Sequence, residues 1–80
     1  MSVRSTIEEL FQQVASEQHR KLARLSDELK LLESGLDSLS FALIVMRLED
    51  ALGYDPFESS DVQFPVTFGD FVKLYERRAA

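Results

Sequence analysis

The sequence predicts an all-α protein, a four-helix bundle with a short third helix and a long loop between helices 1 and 2. Three observations predict it. Apolar residues recur at helical spacing in separate stretches, and no stretch alternates apolar and polar residues over the length of a strand. Gly53, Asp55-Pro56 and Pro65 punctuate the chain where helices should end or begin. Eighty residues leave room for one core, so residues 1–80 are expected to form a single domain.

The first helix follows from Ile7, Leu10, Phe11 and Val14, spaced at i, i+3, i+4 and i+7. Ser5 or Thr6 ahead of them, with Glu8 or Glu9 three positions later, reads as a capping box, so the helix is expected from Thr6 to Gln18. From His19 to Ser34 the leucines keep no period. This stretch is expected to be a long loop pinned to the core by Leu25, Leu29, Leu31 or Leu32. The second helix is expected from Ser38 to Leu52, stopped by Gly53. Asp55 and Pro56 suit the N-cap and first position of a short helix across Phe57 to Asp61. Pro65 breaks the chain again, and Thr67 with Asp70 opens a last helix whose buried face is Phe68, Phe71, Val72 and Tyr75.

Composition removes several classes of function. With no Cys there is no disulfide, no thiolate chemistry and no cysteine-ligated zinc, and a single His makes a metal site unexpected. The longest apolar stretch, Phe41 to Met46, is cut by Arg47, too short for a membrane span. Met1 to Ser5 lack the apolar segment of a secretory signal, so a cytoplasmic protein is expected. The net charge is −5, unevenly spread. Between Leu31 and Val72 there are eight acids (Glu33, Asp37, Glu49, Asp50, Asp55, Glu58, Asp61 and Asp70) against Arg47 alone, a segment that repels nucleic acid and attracts basic protein surfaces. Arg20, Lys21, Arg24 and Lys30, in the stretch before it, read as a solvated connector.

The most informative segment is Gly35-Leu36-Asp37-Ser38-Leu39, immediately before the most apolar helix. A Ser hydroxyl in the first turn of a helix is exposed, and the unpaired amides there favour a phosphodiester on its oxygen. Asp37 places a carboxylate beside it, suited to helping position a divalent cation during attachment. The one histidine, His19, falls on a different expected element, so no base activates Ser38 and it reads as a modification target and not as a nucleophile. Asp37 or Ser38 also suits the helix N-cap, with Gly35 ending the preceding turn.

The motif, in a small, acidic, helical chain, resembles the acyl carrier protein family of phosphopantetheine-bearing carriers. The resemblance covers most of the chain and is most specific from Gly35 through the helix that follows. It implies 4′-phosphopantetheine, delivered from coenzyme A by a phosphopantetheinyl transferase, on Ser38, with Asp37 aiding attachment. It further implies acyl or aminoacyl thioesters on the arm, no catalysis by the chain itself, and partners that include an acyl or aminoacyl ligase or transferase and downstream biosynthetic enzymes. Acids appear on the second helix only at Glu49 and Asp50, and Leu36 stands where carriers of primary metabolism often have a small residue. Both departures favour a dedicated lipid, polyketide or related pathway over general fatty acid biosynthesis. The lack of flanking domains suggests a freestanding carrier, and a monomer is expected.

On a helical wheel the second helix carries two apolar stripes. Phe41, Ile44, Val45, Leu48 and Leu52 are assigned to the core. Leu39, Leu43 and Met46, continued by Asp50, are expected to form the face that partners grip, an apolar patch with an acidic rim. The reading from another class is a non-enzymatic helical interaction module that uses this face without covalent modification.

Overall fold

The computed structural model describes residues 2–58 and 64–79. Among them are three α-helices, α1 (Val3–Glu17), α2 (Ser38–Leu52) and α3 (Phe68–Ala79), and two single 3-10 turns at Leu31–Glu33 and Pro56–Glu58, with no named strand. The all-helical class is as expected. The expected short third helix is a 3-10 turn where it is described, and its remainder to Asp61 extends outside the described residues. Asp55 does cap that turn, its Oδ1 accepting from the Phe57 amide at 2.9 Å.

Helix α1 begins earlier than its Ile7 spacing suggests. Ser2, not Ser5 or Thr6, is the N-cap, accepting the Ser5 amide at 3.0 Å, while the Thr6 hydroxyl donates to the Ser2 carbonyl. Val3, four residues before Ile7, extends the apolar stripe and packs on the core. The helix ends in a Schellman arrangement: Arg20 N–H donates to the Ala15 carbonyl at 2.8 Å and His19 N–H to the Ser16 carbonyl at 3.2 Å. His19 takes the left-handed position, φ 55°, that glycine usually fills. Leu22 and Leu25 therefore do not prolong the helix; they pack on the core from the loop.

That loop is stitched down by its backbone. Leu31 N–H bonds to Val66, Phe68 N–H to Leu29 and Gly69 N–H to Asp27, at 2.8–3.1 Å, so the connection lies against the start of α3. Leu31 is buried as expected, with Leu25 and Leu29 partly so, but Leu32 is 94% exposed. In a 3-10 turn, successive side chains point about 120° apart, and only one of two adjacent leucines can face inward.

Helix α2 runs from its Asp37 cap to Gly53, whose φ of 83° and N–H bond to Glu49 at 2.8 Å stop it. Its fully buried line is Ser40, Ile44 and Leu48, with Phe41, Val45 and Leu52 half-buried beside it. Relative to expectation, the core face is thus turned towards Ser40, a small side chain that is buried completely beside Ile44 and Leu48. Thr67 and Asp70 form a reciprocal capping box on α3, Asp70 N–H donating to Thr67 Oγ1 at 3.1 Å and Thr67 N–H to Asp70 Oδ2 at 3.4 Å. Phe68, Phe71, Val72 and Tyr75 are all buried, as their spacing requires. Phe11 from α1 meets Phe41, Phe68 and Phe71 edge-on at centroid distances of 6.0, 5.1 and 5.5 Å.

Two glycines with positive φ separate strain from crowding. At Gly53 a Cβ would meet nothing within 4 Å, whereas at Gly35, φ 96°, it would lie 2.2 Å from the Lys21 carbonyl oxygen. Gly53→Ala should cost about 1 kcal/mol for the left-handed backbone alone. Gly35→Ala adds a backbone collision and should cost about 3 kcal/mol or more. Urea midpoints of the two variants compare these costs directly; equal losses would mean that the crossing at Gly35 relaxes freely.

Candidate functional site

The site is built where the loop after α1 crosses the segment that leads into α2. Ser34 is buried, its hydroxyl donating to the Leu31 carbonyl at 2.7 Å, and its own carbonyl accepts the Ala23 amide at 2.9 Å. Gly35 then passes under the Lys21 carbonyl, Leu36 turns into the core, and Asp37 comes to the cap of α2. With Leu36 facing inward, Ser38 is left exposed in the first helical turn.

Asp37 is the N-cap, so the structural role open to either Asp37 or Ser38 falls to Asp37. Its Oδ1 accepts the Ser40 amide at 2.9 Å, and its Oδ2 accepts Arg20 Nη2 at 2.6 Å. The Ser40 amide, and after it the Arg20 charge, hold its carboxyl below the usual aspartate range. This cap leaves the Ser38 hydroxyl without a structural task in the helix. His19 makes no hydrogen bond to Ser38. Among the described residues no group of three or more His, Asp or Glu is placed to hold a metal ion, and no helix is long and apolar enough to cross a membrane.

Of the face expected for partners, Leu39 is 59% and Met46 63% exposed, and Asp50 is exposed beside them. Leu43 sits between them but is half-buried and packed against the core. The sole base of the acidic segment, Arg47, is turned back onto α1, where Nη1 and Nη2 bind Glu17 at 2.9 and 2.6 Å. One residue at the site escaped the sequence reading: Arg20 is the partner of Asp37 and not merely a solvated connector residue. The pair is 17 positions apart and spans a loop without periodicity, so no spacing rule announces it.

The family model described as phosphopantetheine attachment site matches residues 5–66, which takes in most of α1, the long loop and all of α2. The chain belongs to this family, whose members are carriers and not catalysts, and which bear 4′-phosphopantetheine covalently on a serine. As a carrier it works with a phosphopantetheinyl transferase and with biosynthetic enzymes that load and use the arm. Searches of curated proteins and of solved structures give no significant match. The residues present fit the group: an exposed hydroxyl in a helix's first turn, next in sequence to an aspartate that an arginine pairs. When bound, the arm supplies the thiol that this cysteine-free chain lacks.

The depressed Asp37 carboxyl has a pH consequence. Its stabilisation is complete above the ordinary aspartate value of 3.8 and is lost as pH falls through the lower folded value. Asp37→Asn keeps a capping acceptor but does not titrate. Its urea midpoint should therefore fall less steeply than the wild type's below about pH 4. Glu17, lowered by Arg47, retains part of the slope in both proteins. Parallel acid limbs would show that Asp37 gains nothing from its partners.

Proposed function

We propose that Ser38 is the serine that bears 4′-phosphopantetheine, and that the chain carries acyl or aminoacyl intermediates as thioesters on that arm. The observation that carries this reading is the exposure of Ser38 in the first turn of α2, inside the family match, with the cap already supplied by Asp37. Asp37 aids attachment, its carboxylate helping to place the divalent cation of the transferase reaction. The 3-10 turn at Pro56–Glu58 stands in the place of the short third helix of a four-helix carrier.

We infer a dedicated lipid or polyketide-type pathway, with its own ligase or transferase, served by a cytoplasmic monomer. Support comes from the acids of α2, which are confined to Glu49 and Asp50 at its C-terminal end, where general fatty acid carriers spread them earlier. Leu36 lends no support, since it is buried and its size answers to packing. Leu39 and Met46, with Asp50 on their rim, form the partner face; Leu43 contributes its outer edge.

Incubation with coenzyme A, magnesium and a broad-specificity phosphopantetheinyl transferase should add one phosphopantetheine to the wild type, read by intact mass, and none to Ser38→Ala. A folded wild type that gains no mass, or a variant that gains it, would overturn the assignment. For the partner face, Leu39→Glu and Met46→Glu should each change stability by less than about 0.5 kcal/mol. Each should weaken binding to the loading enzyme roughly tenfold, equivalent to about 1.4 kcal/mol. Leu43→Glu should lower stability as well, because it strikes the core. Unchanged binding in both of the first two variants would remove the face from α2.

A further inference from the structure

Arg20 is placed by backbone on both sides of it. Its own amide closes the end of α1 on Ala15, the left-handed His19 directs the chain towards the motif, and Lys21 and Ala23 are held against Gly35 and Ser34. From there Nη2 reaches Asp37 Oδ2 at 2.6 Å, with the Arg20 side chain 46% exposed. This contact engages one guanidinium nitrogen, and an arginine presents five N–H donors in a planar fork. Arg47, by contrast, spends both terminal nitrogens on Glu17.

A phosphodiester on Ser38 brings a second negative charge to the residue next to Asp37. Each Asp37 oxygen already has a donor, so the carboxylate stays where it is and ionised. Two neighbouring anions repel, and a cation that already touches one of them and keeps donors in reserve relieves the repulsion by bridging both. The other bases of the loop, Lys21, Arg24 and Lys30, are exposed and form no salt bridge.

We propose that Arg20 is a positioning residue for the prosthetic arm, bridging Asp37 and the phosphodiester on Ser38 and so fixing the root of the arm against the loop that follows α1. The proposal rests on Ser38 as the attachment site. It is tested by NMR of the apo and loaded full chain, reading the Arg20 Nε–Hε resonance and the phosphodiester phosphorus. On loading, the Arg20 resonance should shift and its exchange with solvent should slow. In loaded Arg20→Gln the phosphorus resonance should shift and narrow relative to wild type as the root gains freedom, with Arg20→Lys, which keeps the charge without the fork, falling between. An Arg20 resonance unmoved by loading, with the same phosphorus shift and linewidth in wild type and Arg20→Gln, would overturn the proposal. The comparison within the unmutated protein decides it even where a substitution disturbs the fold. Failure of the wild type to gain the arm by mass removes the attachment reading and this one together, whereas a loaded protein with a silent Arg20 removes this one alone.

Discussion

A single carbonyl oxygen, that of Lys21, occupies the space in which a side chain at residue 35 would begin, and the geometry of the motif depends on that crossing. Because the two backbone segments touch, Ala23 can bond to Ser34, and Ser34 can turn its hydroxyl back to Leu31. Leu36 is thereby delivered to the core and Asp37 to the helix cap. Ser38 faces outward as the consequence of four successive residues having been given other positions. The glycine of the motif serves the fold, and through the fold it serves the serine.

The helix that the motif opens is held by aromatic packing more than by its ion pairs. Phe11 is fully buried, which contributes about 2–3 kcal/mol, and each of its edge contacts adds up to about 1 kcal/mol. Those contacts draw α1, α2 and α3 to one point. At the far end, the Tyr54 hydroxyl donates to the Tyr75 carbonyl at 2.8 Å, tying the segment after α2 to α3. The helix is therefore fixed at both ends and in the middle. Exposed pairs such as Arg47 with Glu17 choose how α2 is turned, but they are screened by water and salt and do not hold it.

What was legible in the sequence is what short-range rules govern. The bounds of α2, the capping box at Thr67 and Asp70 and the buried face of α3 each rest on residues within four positions of one another. The start of α1 was missed because Ser5 and Thr6 imitate the cap that Ser2 supplies, although Val3 at the right spacing from Ile7 marked the longer helix. The choice between Leu31 and Leu32 stays open in the sequence because composition does not reveal which of two adjacent leucines a tight turn faces inward. Within the candidate site, the motif leaves the helix cap open between Asp37 and Ser38, and it does not announce Arg20 at all, since the loop between them obeys no period and is positioned by contacts with α3. The half-burial of Leu43 follows from the turn of α2 that puts Ser40, Ile44 and Leu48 innermost, a property of the packed helices together.

The pairing of Arg47 with Glu17 also bears on how fast the protein is found in solution. With Arg47 drawn to the side and paired with Glu17, the C-terminal end of α2 keeps the negative field of Glu49 and Asp50. A charged enzyme surface is guided by such a field from beyond contact distance, which raises the encounter rate while adding little to the lifetime of the complex. Rapid capture with brief residence suits a shuttle that must visit several enzymes in turn.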